Sequence, residues 1–293
     1  MPLDATRLLL AGLAIAALYH IVTLVRAMKP APTVRPTPVG IGIGVVTAFF
    51  DTLGIGSFAT TTALFRATKT VKDALIPGTL NAAHTLPTLA QAFIYTQLVE
   101  VEPVTLIAMI VAAVAGAWLG AGIVARWPTR RIQFGMGLCL AAAAALTAAQ
   151  ALDVLPGGGT AIGVSGGKLA IALVGNFLLG ALMTIGIGLY GPCMMLVSLL
   201  GMNPAAAFPV MMGSCAFLMP MASARFLRLG KVDLRAVVSI IIGGVPAVLV
   251  AAFIVKSLPL TALRWLVVIV VAYTAFTLLQ SSRRPAEDTP AAA

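Results

Sequence analysis

The sequence is poor in charged residues, in cysteine and in the motifs that mark common enzymes. Only 10% of its 293 residues are charged, whereas soluble domains carry about 25%. The three cysteines, Cys139, Cys193 and Cys215, lie alone in separate apolar segments, which indicates neither a disulfide framework nor a metal site. No HExxH or Walker motif occurs, so the usual metalloprotease and ATPase signatures are missing. We therefore expect no enzyme activity, no metal and no cofactor.

Apolar sequence is abundant, at 60% of residues, and short loops divide it into nine segments. A helix needs about 20 apolar residues to cross a bilayer. The net charge of +10 comes from Lys and Arg concentrated in these loops, which is typical of membrane proteins, so we expect a lipid bilayer and no nucleic acid as partner. The segments are residues 6–25, 38–65, 73–96, 103–125, 132–152, 168–200, 204–224, 234–256 and 261–280. The sequence thus predicts an all-α polytopic membrane protein.

Two of these segments are interrupted by the same tripeptide, Gly54–Gly56 in the first and Gly186–Gly188 in the second. Each glycine weakens a helix by about 1 kcal/mol relative to alanine, so both segments are expected to break. The tripeptides are 132 residues apart, and the same offset aligns Thr52 with Thr184 and Pro77 with Pro209. We interpret this as an internal duplication. It divides the chain into an N-terminal helix and Pro-rich linker (1–37), repeat 1 (38–152), a Gly-rich linker (153–167), repeat 2 (168–280) and a cytoplasmic tail (281–293).

The distribution of charge predicts the orientation of the repeats. Basic residues stand both before and after the first broken segment, for example Arg35 and Lys69, and basic loops are cytoplasmic. We therefore predict that this segment enters the membrane and returns as a re-entrant hairpin. Each repeat then has one hairpin and three transmembrane helices, and the repeats are inverted, with the N-terminus periplasmic and the C-terminus cytoplasmic. Lys256 and Arg264 oppose this scheme, and the alternative is two parallel repeats with broken full spans.

Irregular backbone within a membrane is tolerated only where it is buried in protein or lines a watery cavity. Two such breaks therefore predict one central site, and the helix that starts after each break offers free N–H groups to an anion. The alternative is that the glycines only allow close helix packing. The candidate binding residues are Gly54, Gly56, Ser57, Thr60 and Thr61 at the first break, and Gly186, Gly188, Tyr190, Gly191 and Cys193 at the second.

Polar residues inside the apolar segments are scarce, and membrane proteins tend to keep them for function. Asp51 precedes the first break, and Asn81 and His84 share one helix face at spacing i, i+3. These three are the candidates for ion coupling. His84 is the natural proton carrier among them, because the charge of histidine changes near neutral pH. The alternatives stay open: His84 as a neutral residue bonded to a neighbouring helix, and Asp51 as a cap for the broken backbone.

The stretches Phe50–Ser57 and Thr184–Pro192 resemble the sulfite exporter TauE/SafE family, also called the toluene-sulfonate uptake permease group, over about residues 40–280. The resemblance implies a secondary transporter of the bacterial inner membrane. Its substrate would be sulfite, an organosulfonate or a related small anion, coupled to an ion such as a proton. The chain departs from the usual pattern at Ser57–Thr60, where the family often has a Gly- and Pro-rich loop, and in its extra N-terminal helix. Both departures leave the transported anion open.

Two other functions are alternatives to a carrier. A passive anion channel would share the same fold, and saturable flux that responds to a pH gradient would exclude it. A membrane-embedded enzyme acting on a lipid phosphate would need an acid, a base and an arginine deep in its site. The middle parts of the apolar segments contain no arginine or glutamate, which disfavours the enzyme. The sequence does not decide between a monomer and a homodimer.

Overall fold

A computed structural model describes residues 3–29, 34–124, 126–152, 154, 159–186 and 188–254, with single residues between 265 and 283. In this part of the chain the regular structure is helical. The α-helices are α1 (Leu3–Met28), α2 (Pro38–Thr52), α3 (Ser57–Thr68), α4 (Ile76–Leu98), α5 (Pro103–Val124), α6 (Thr129–Ala151), α7 (Gly166–Met183), α8 (Tyr190–Leu199), α9 (Ala207–Arg228) and α10 (Leu234–Ile254). Short 3-10 turns, Asp73–Leu75 and Pro204–Ala206, precede α4 and α9.

Five of the described helices are long and apolar enough to cross a membrane, which confirms the predicted all-α membrane protein. They are Arg7–Met28, Pro103–Ala121, Gly166–Met183, Ala207–Arg228 and Leu234–Ala252. This set differs from the prediction in two ways. It includes α7, predicted as half of a broken segment, and it lacks α4 and α6. Polar side chains lower the hydropathy of α4, and several side chains of α6 lie outside the described residues.

The predicted segment 261–280 falls mostly outside the described residues. Helical residues are described within it, among them Trp265 and Tyr273. Lys256 and Arg264, which oppose the predicted orientation, lie outside the described residues, as do Ile187 of the second tripeptide and most of the predicted tail.

Helices α4 and α9 pack against each other in antiparallel directions at the centre of the bundle. Gly78 in the first turn of α4 contacts Lys231, just beyond the end of α9. The Asp233 N–H, two residues further along, donates to Thr79 Oγ1 at 2.9 Å. Most of each helix is buried, so the polar face of α4 is directed into protein.

On either side of this centre lies a parallel pair of helices in close contact, α2 with α10 and α5 with α7. Small residues allow this approach. Gly243 of α10 contacts the Ile41 backbone of α2, and Gly180 of α7 contacts the Ala113 backbone of α5. In each pair, the first helix of one predicted repeat packs on a helix of the other predicted repeat.

Polar contacts define the two ends of the bundle. At one end the Thr37 N–H, just before α2, donates to Ser239 Oγ in α10 at 2.9 Å. The end of α3 lies there too, because residues 65–75 and Asp233 line one pocket. At the opposite end Lys168 Nζ, in the first turn of α7, donates to the Leu200 carbonyl after α8 at 3.0 Å. Each broken pair of helices therefore starts and finishes at the same end of the bundle, and the two pairs use opposite ends.

Candidate anion site

Both predicted breaks are present in the backbone. After α2 the chain leaves the helix at Leu53, and Gly54 and Gly56 adopt φ of +83° and +88°. After α7, Gly186 adopts φ of +95°. Glycine occupies this left-handed region without the steric cost that a Cβ atom adds. A new helix starts after each break, α3 at Ser57 and α8 at Tyr190.

The two breaks meet in space. A Cβ built on Gly56 would lie 3.8 Å from Tyr190 Cβ, and one built on Gly188 would lie 4.0 Å from Phe58 Cβ. Gly56 and Gly188 are 132 residues apart, and so are Phe58 and Tyr190. Each break therefore packs against the first turn of the helix that follows the other break.

A small cavity of about 10 Å³ lies where the breaks meet. This is room for about one water molecule. Its lining comes from both breaks and both central helices: Asp51, Gly56, Ser57, Phe58, Thr88, Met183, Gly188, Leu189, Tyr190, Cys215 and Met219. The positions 56–58 and 188–190 of this lining correspond at the 132-residue offset.

A buried hydrogen-bond chain joins α4 to both breaks. Tyr190 Oη donates to Gln91 Oε1 at 2.8 Å, and Gln91 Nε2 donates to Thr52 Oγ1 at 3.1 Å. Tyr95 Oη donates to the Thr52 carbonyl at 2.8 Å. The end of α2 and the start of α8 are thus held on the same face of α4.

Asp51 is the charged residue of the cavity lining. Its carboxyl group is 2% exposed and lies within hydrogen-bonding reach of Ser57, through both the backbone N–H and the hydroxyl, and of Gln91 and Tyr190. It therefore contacts the first N–H group of α3. In this position Asp51 can both cap the start of α3 and take part in the site.

Among the described residues that line the cavity there is no lysine, arginine or histidine. Its positive electrostatic contribution comes from the N-terminal ends of α3 and α8, each equivalent to about half an elementary charge in a long helix and less in helices this short. The N-cap residues of these two helices, Gly56 and Leu189, form no side-chain hydrogen bond to the helix start. Among the described residues, no group of three or more His, Cys, Asp and Glu side chains is arranged to hold a metal ion.

Four of the predicted binding residues line the cavity: Gly56, Ser57, Gly188 and Tyr190. The predicted residues of α3 that lie beyond Ser57 are placed elsewhere. Thr60 Oγ1 donates to the Ser57 carbonyl at 2.9 Å, and Thr61 Oγ1 bonds to His84 Nε2 at 2.8 Å. The bond of Thr60 is common for threonine in a helix, whose hydroxyl often donates to a backbone carbonyl of the preceding turn. A hydroxyl near a helix start therefore does not by itself face a site.

The remaining predicted binding residues shape the breaks without lining the cavity. Gly54 faces Phe208, whose ring would lie 3.2 Å from an added Cβ. Gly186 turns the chain after α7, Gly191 is half-buried in the first turn of α8, and Cys193 is buried one turn into that helix.

Of the three predicted coupling residues, Asp51 alone lines the cavity. His84 is fully buried one layer away, with its ring centroid 6.1 Å from that of Phe58. Its Nδ1 has no hydrogen-bond partner among the described residues. Asn81 Nδ2 donates to the Pro77 carbonyl of its own helix at 2.9 Å. The structure thus places His84 and Asn81 behind the site.

Several lining residues were not predicted, and some had a signal in the sequence. Thr88 lies one turn beyond His84 on the same face of α4, while Met183 and Leu189 match Asp51 and Ser57 at the 132-residue offset. Cys215 and Met219 of α9 had no such signal, because apolar residues at i, i+4 in an apolar helix are indistinguishable from core residues.

The family model of the sulfite exporter TauE/SafE matches residues 1–147 and 168–293. The unmatched stretch between them contains the predicted Gly-rich linker. No curated protein and no solved structure matches the chain. Because the match covers nearly the whole chain and includes both breaks, the chain belongs to the sulfite exporter TauE/SafE family, a family of membrane transporters.

Proposed function

We propose that this protein is a secondary transporter that binds one small sulfur-containing anion, such as sulfite or an organosulfonate, and carries it across the bacterial inner membrane. The observation that carries this proposal is the meeting of two equivalent helix breaks at one buried cavity. Broken helices whose N-termini point at an anion near the midplane are a recurring solution in transporters.

The cavity suits an anion that must also be released. Its donors are the first N–H groups of α3 and α8 with the hydroxyl group of Ser57, and none of the described residues that line it is basic. Sulfite and sulfonate oxygens accept several such hydrogen bonds, each worth about 1.5–3 kcal/mol with a charged ligand. A fixed arginine would add a full charge and slow release.

Asp51 is the group we assign to coupling. Its carboxyl group uses the Ser57 donors that an incoming anion needs, and two like charges in one site repel each other. The titratable groups in electrostatic contact with Asp51 are Tyr95, Tyr190 and Cys215, and none of them carries a positive charge. Protonation of Asp51 relieves the repulsion, so a proton and the anion bind together and move in the same direction.

The contacts at the ends of the bundle support inverted repeats with re-entrant hairpins. The pair α2–α3 begins and finishes at the end that carries Arg66, Lys69 and Arg235, and the pair α7–α8 at the end beside Glu102. By the positive-inside rule the first end is cytoplasmic. The N-terminus is then periplasmic, because α1 runs parallel to α9, with His20 Nδ1 3.1 Å from Ser223 Oγ.

The cavity at about 10 Å³ is too small for the anion, so the two breaks must move apart before the anion can bind between them. Rocking of one repeat against the other would enlarge it and open it to one side at a time. A passive channel needs a continuous water-filled path.

The test is flux in proteoliposomes with sulfite, sulfate, thiosulfate, taurine and sulfoacetate, with and without a pH gradient. We expect saturable, gradient-dependent flux of at least one anion. Gly188→Val should abolish it, because the added methyl groups fill the cavity. Gly167→Val is the matched control, since nothing lies within 4 Å of a Cβ there. Flux that does not saturate would indicate a channel. Unchanged anion affinity in both Gly56→Val and Gly188→Val would show that the anion does not bind at this cavity.

A further inference from the structure

A groove separate from the cavity lies between α1, α5 and α9. Its larger part is an apolar pocket of about 570 Å³. Leu9 of α1, Val111 and Trp118 of α5, and Phe217 and Met221 of α9 are among its lining residues, all of which are apolar. Val111 is 61% exposed and Trp118 is 50% exposed, so this pocket opens sideways to the surroundings of the bundle.

A basic pocket of about 390 Å³ adjoins the apolar one. Trp118 and Met221 line both pockets, so the two form one continuous groove, which we call the α1–α5–α9 groove. Arg126, Arg225 and Arg228 line the basic part together with Tyr19, and none of its described lining residues is an aspartate or a glutamate. The Arg225 guanidinium lies over the Trp118 ring, 5.6 Å from the ring centroid, which fixes it beside the apolar part.

The dimensions of the groove match one leaflet of a bilayer. Its apolar wall on α5 runs from Ile107 to Trp118, which at 1.5 Å per residue is about 17 Å. Half of a hydrocarbon core that is about 30 Å thick is about 15 Å. The three arginines then lie at headgroup depth, at the end of the bundle where basic loops gather.

We propose that the α1–α5–α9 groove binds one anionic phospholipid, with an acyl chain along the apolar part and the phosphate among Arg126, Arg225 and Arg228. Basic pockets between transmembrane helices on the cytoplasmic side are suited to anionic headgroups. The helix α1, which precedes the two predicted repeats, provides one wall through Leu9 and Tyr19. The proposal goes beyond anion transport and does not depend on it.

Charge and shape favour a lipid over the other occupants of such a groove. Free phosphate would use the arginines and leave the apolar part empty. A second copy of the chain, related by a two-fold axis along the membrane normal, would bring its own arginines to the same depth, where like charges repel. A phospholipid satisfies both parts at once.

Trp118 provides a direct test, since it lies in both pockets. A variant with Trp127→Phe and Trp265→Phe leaves Trp118 as the one tryptophan among the three in the sequence. It is reconstituted in phosphatidylcholine vesicles, and brominated phosphatidylglycerol or brominated phosphatidylcholine is titrated as the quencher. We expect phosphatidylglycerol to quench at a mole fraction that is about a hundredfold lower, because three arginines act on its headgroup. Each arginine should contribute about fivefold, because one basic residue near an anionic lipid is worth about 1 kcal/mol.

Matched variants separate the groove from general surface charge. Arg225→Gln and Arg228→Gln should each raise the mole fraction of phosphatidylglycerol that is needed for quenching by about fivefold, toward the value for phosphatidylcholine. Lys69→Gln and Arg235→Gln change exposed basic residues at the same end of the bundle, outside the groove, and should leave the preference unchanged. Ala115→Phe fills the apolar part and should weaken quenching by both lipids.

Equal quenching by both lipids, or an equal loss of preference in the Lys69 and Arg235 controls, would overturn the proposal. So would displacement of the lipid by inorganic phosphate in the buffer. Cross-linking between copies that Ala115→Phe abolishes would assign the groove to a second copy instead. Because the tryptophan substitutions can disturb folding, native mass spectrometry of the wild-type protein gives a second measurement. It should retain one phosphatidylglycerol, and the Arg225→Gln variant should lose it; equal retention in both proteins would contradict the site.

Discussion

A disulfide across the two breaks tests both their contact and its role in transport. The Cβ atoms of Phe58 and of a side chain at Gly188 would be 4.0 Å apart, within the 3.5–4.5 Å range typical of disulfides. We expect Phe58→Cys with Gly188→Cys to form this bond on oxidation, in a background in which Cys139, Cys193 and Cys215 are replaced by alanine. If the breaks separate during each transport cycle, the bond should stop transport.

The size of the stability effect follows from burial and chain length. The Phe58 side chain is 2% exposed, and removal of a buried phenylalanine ring costs about 3–5 kcal/mol. The disulfide closes a loop of 130 residues, which in the chain-entropy treatment contributes about 5 kcal/mol. The two effects nearly cancel. The oxidised variant should therefore melt near the cysteine-free background, and the reduced variant well below it.

Three measurements check this expectation. Mass spectrometry after proteolysis identifies the 58–188 cross-link, thermal unfolding in detergent compares the oxidised and reduced forms, and proteoliposome flux follows the anion found in the screen. Flux should fall at least tenfold on oxidation and return with reductant, because loss of the Phe58 ring leaves room for the side chain added at Gly188. Oxidant should not change the flux of either single-cysteine variant. Absence of the cross-link would refute the contact between the breaks, and a cross-linked protein with normal flux would refute their movement.

Three further predictions concern helix packing, coupling and topology. Gly180→Ala places a Cβ against the carbonyl oxygen of Ala113 in α5 and should destabilise the protein by about 1–3 kcal/mol; Gly167→Ala, with nothing within 4 Å, should not, as thermal unfolding in detergent will show. Asp51→Asn should remove the dependence of anion flux on a pH gradient. His84→Gln should keep this dependence, because His84 lies behind the cavity. The opposite result would assign proton coupling to His84. Cysteine at Lys69 should react with an impermeant thiol reagent only from the cytoplasm and cysteine at Asn203 only from the periplasm, and cytoplasmic labelling at Asn203 would contradict the inverted repeats.

The parts of this protein that local chemistry controls were predictable from the sequence. Hydropathy and segment length predict membrane helices because each backbone group in lipid must be satisfied within its own helix. The helix breaks followed from Gly54–Gly56 and Gly186–Gly188, because several of these glycines adopt backbone angles that other residues avoid. The family resemblance rested on the same stretches, and the family match confirms it.

The composition of the cavity was decided by tertiary structure. Thr60 and Ser57 have similar hydroxyl groups in the same helix, yet one bonds its own backbone and the other faces Asp51. Tyr190 reaches Gln91 across 99 residues of sequence. Helical periodicity tells which residues share a face but not which neighbour that face meets, because the neighbour is fixed by packing between distant segments. The sequence therefore determined where the helices break, and only the packing of α4 and α9 against both breaks determined which side chains surround the space between them.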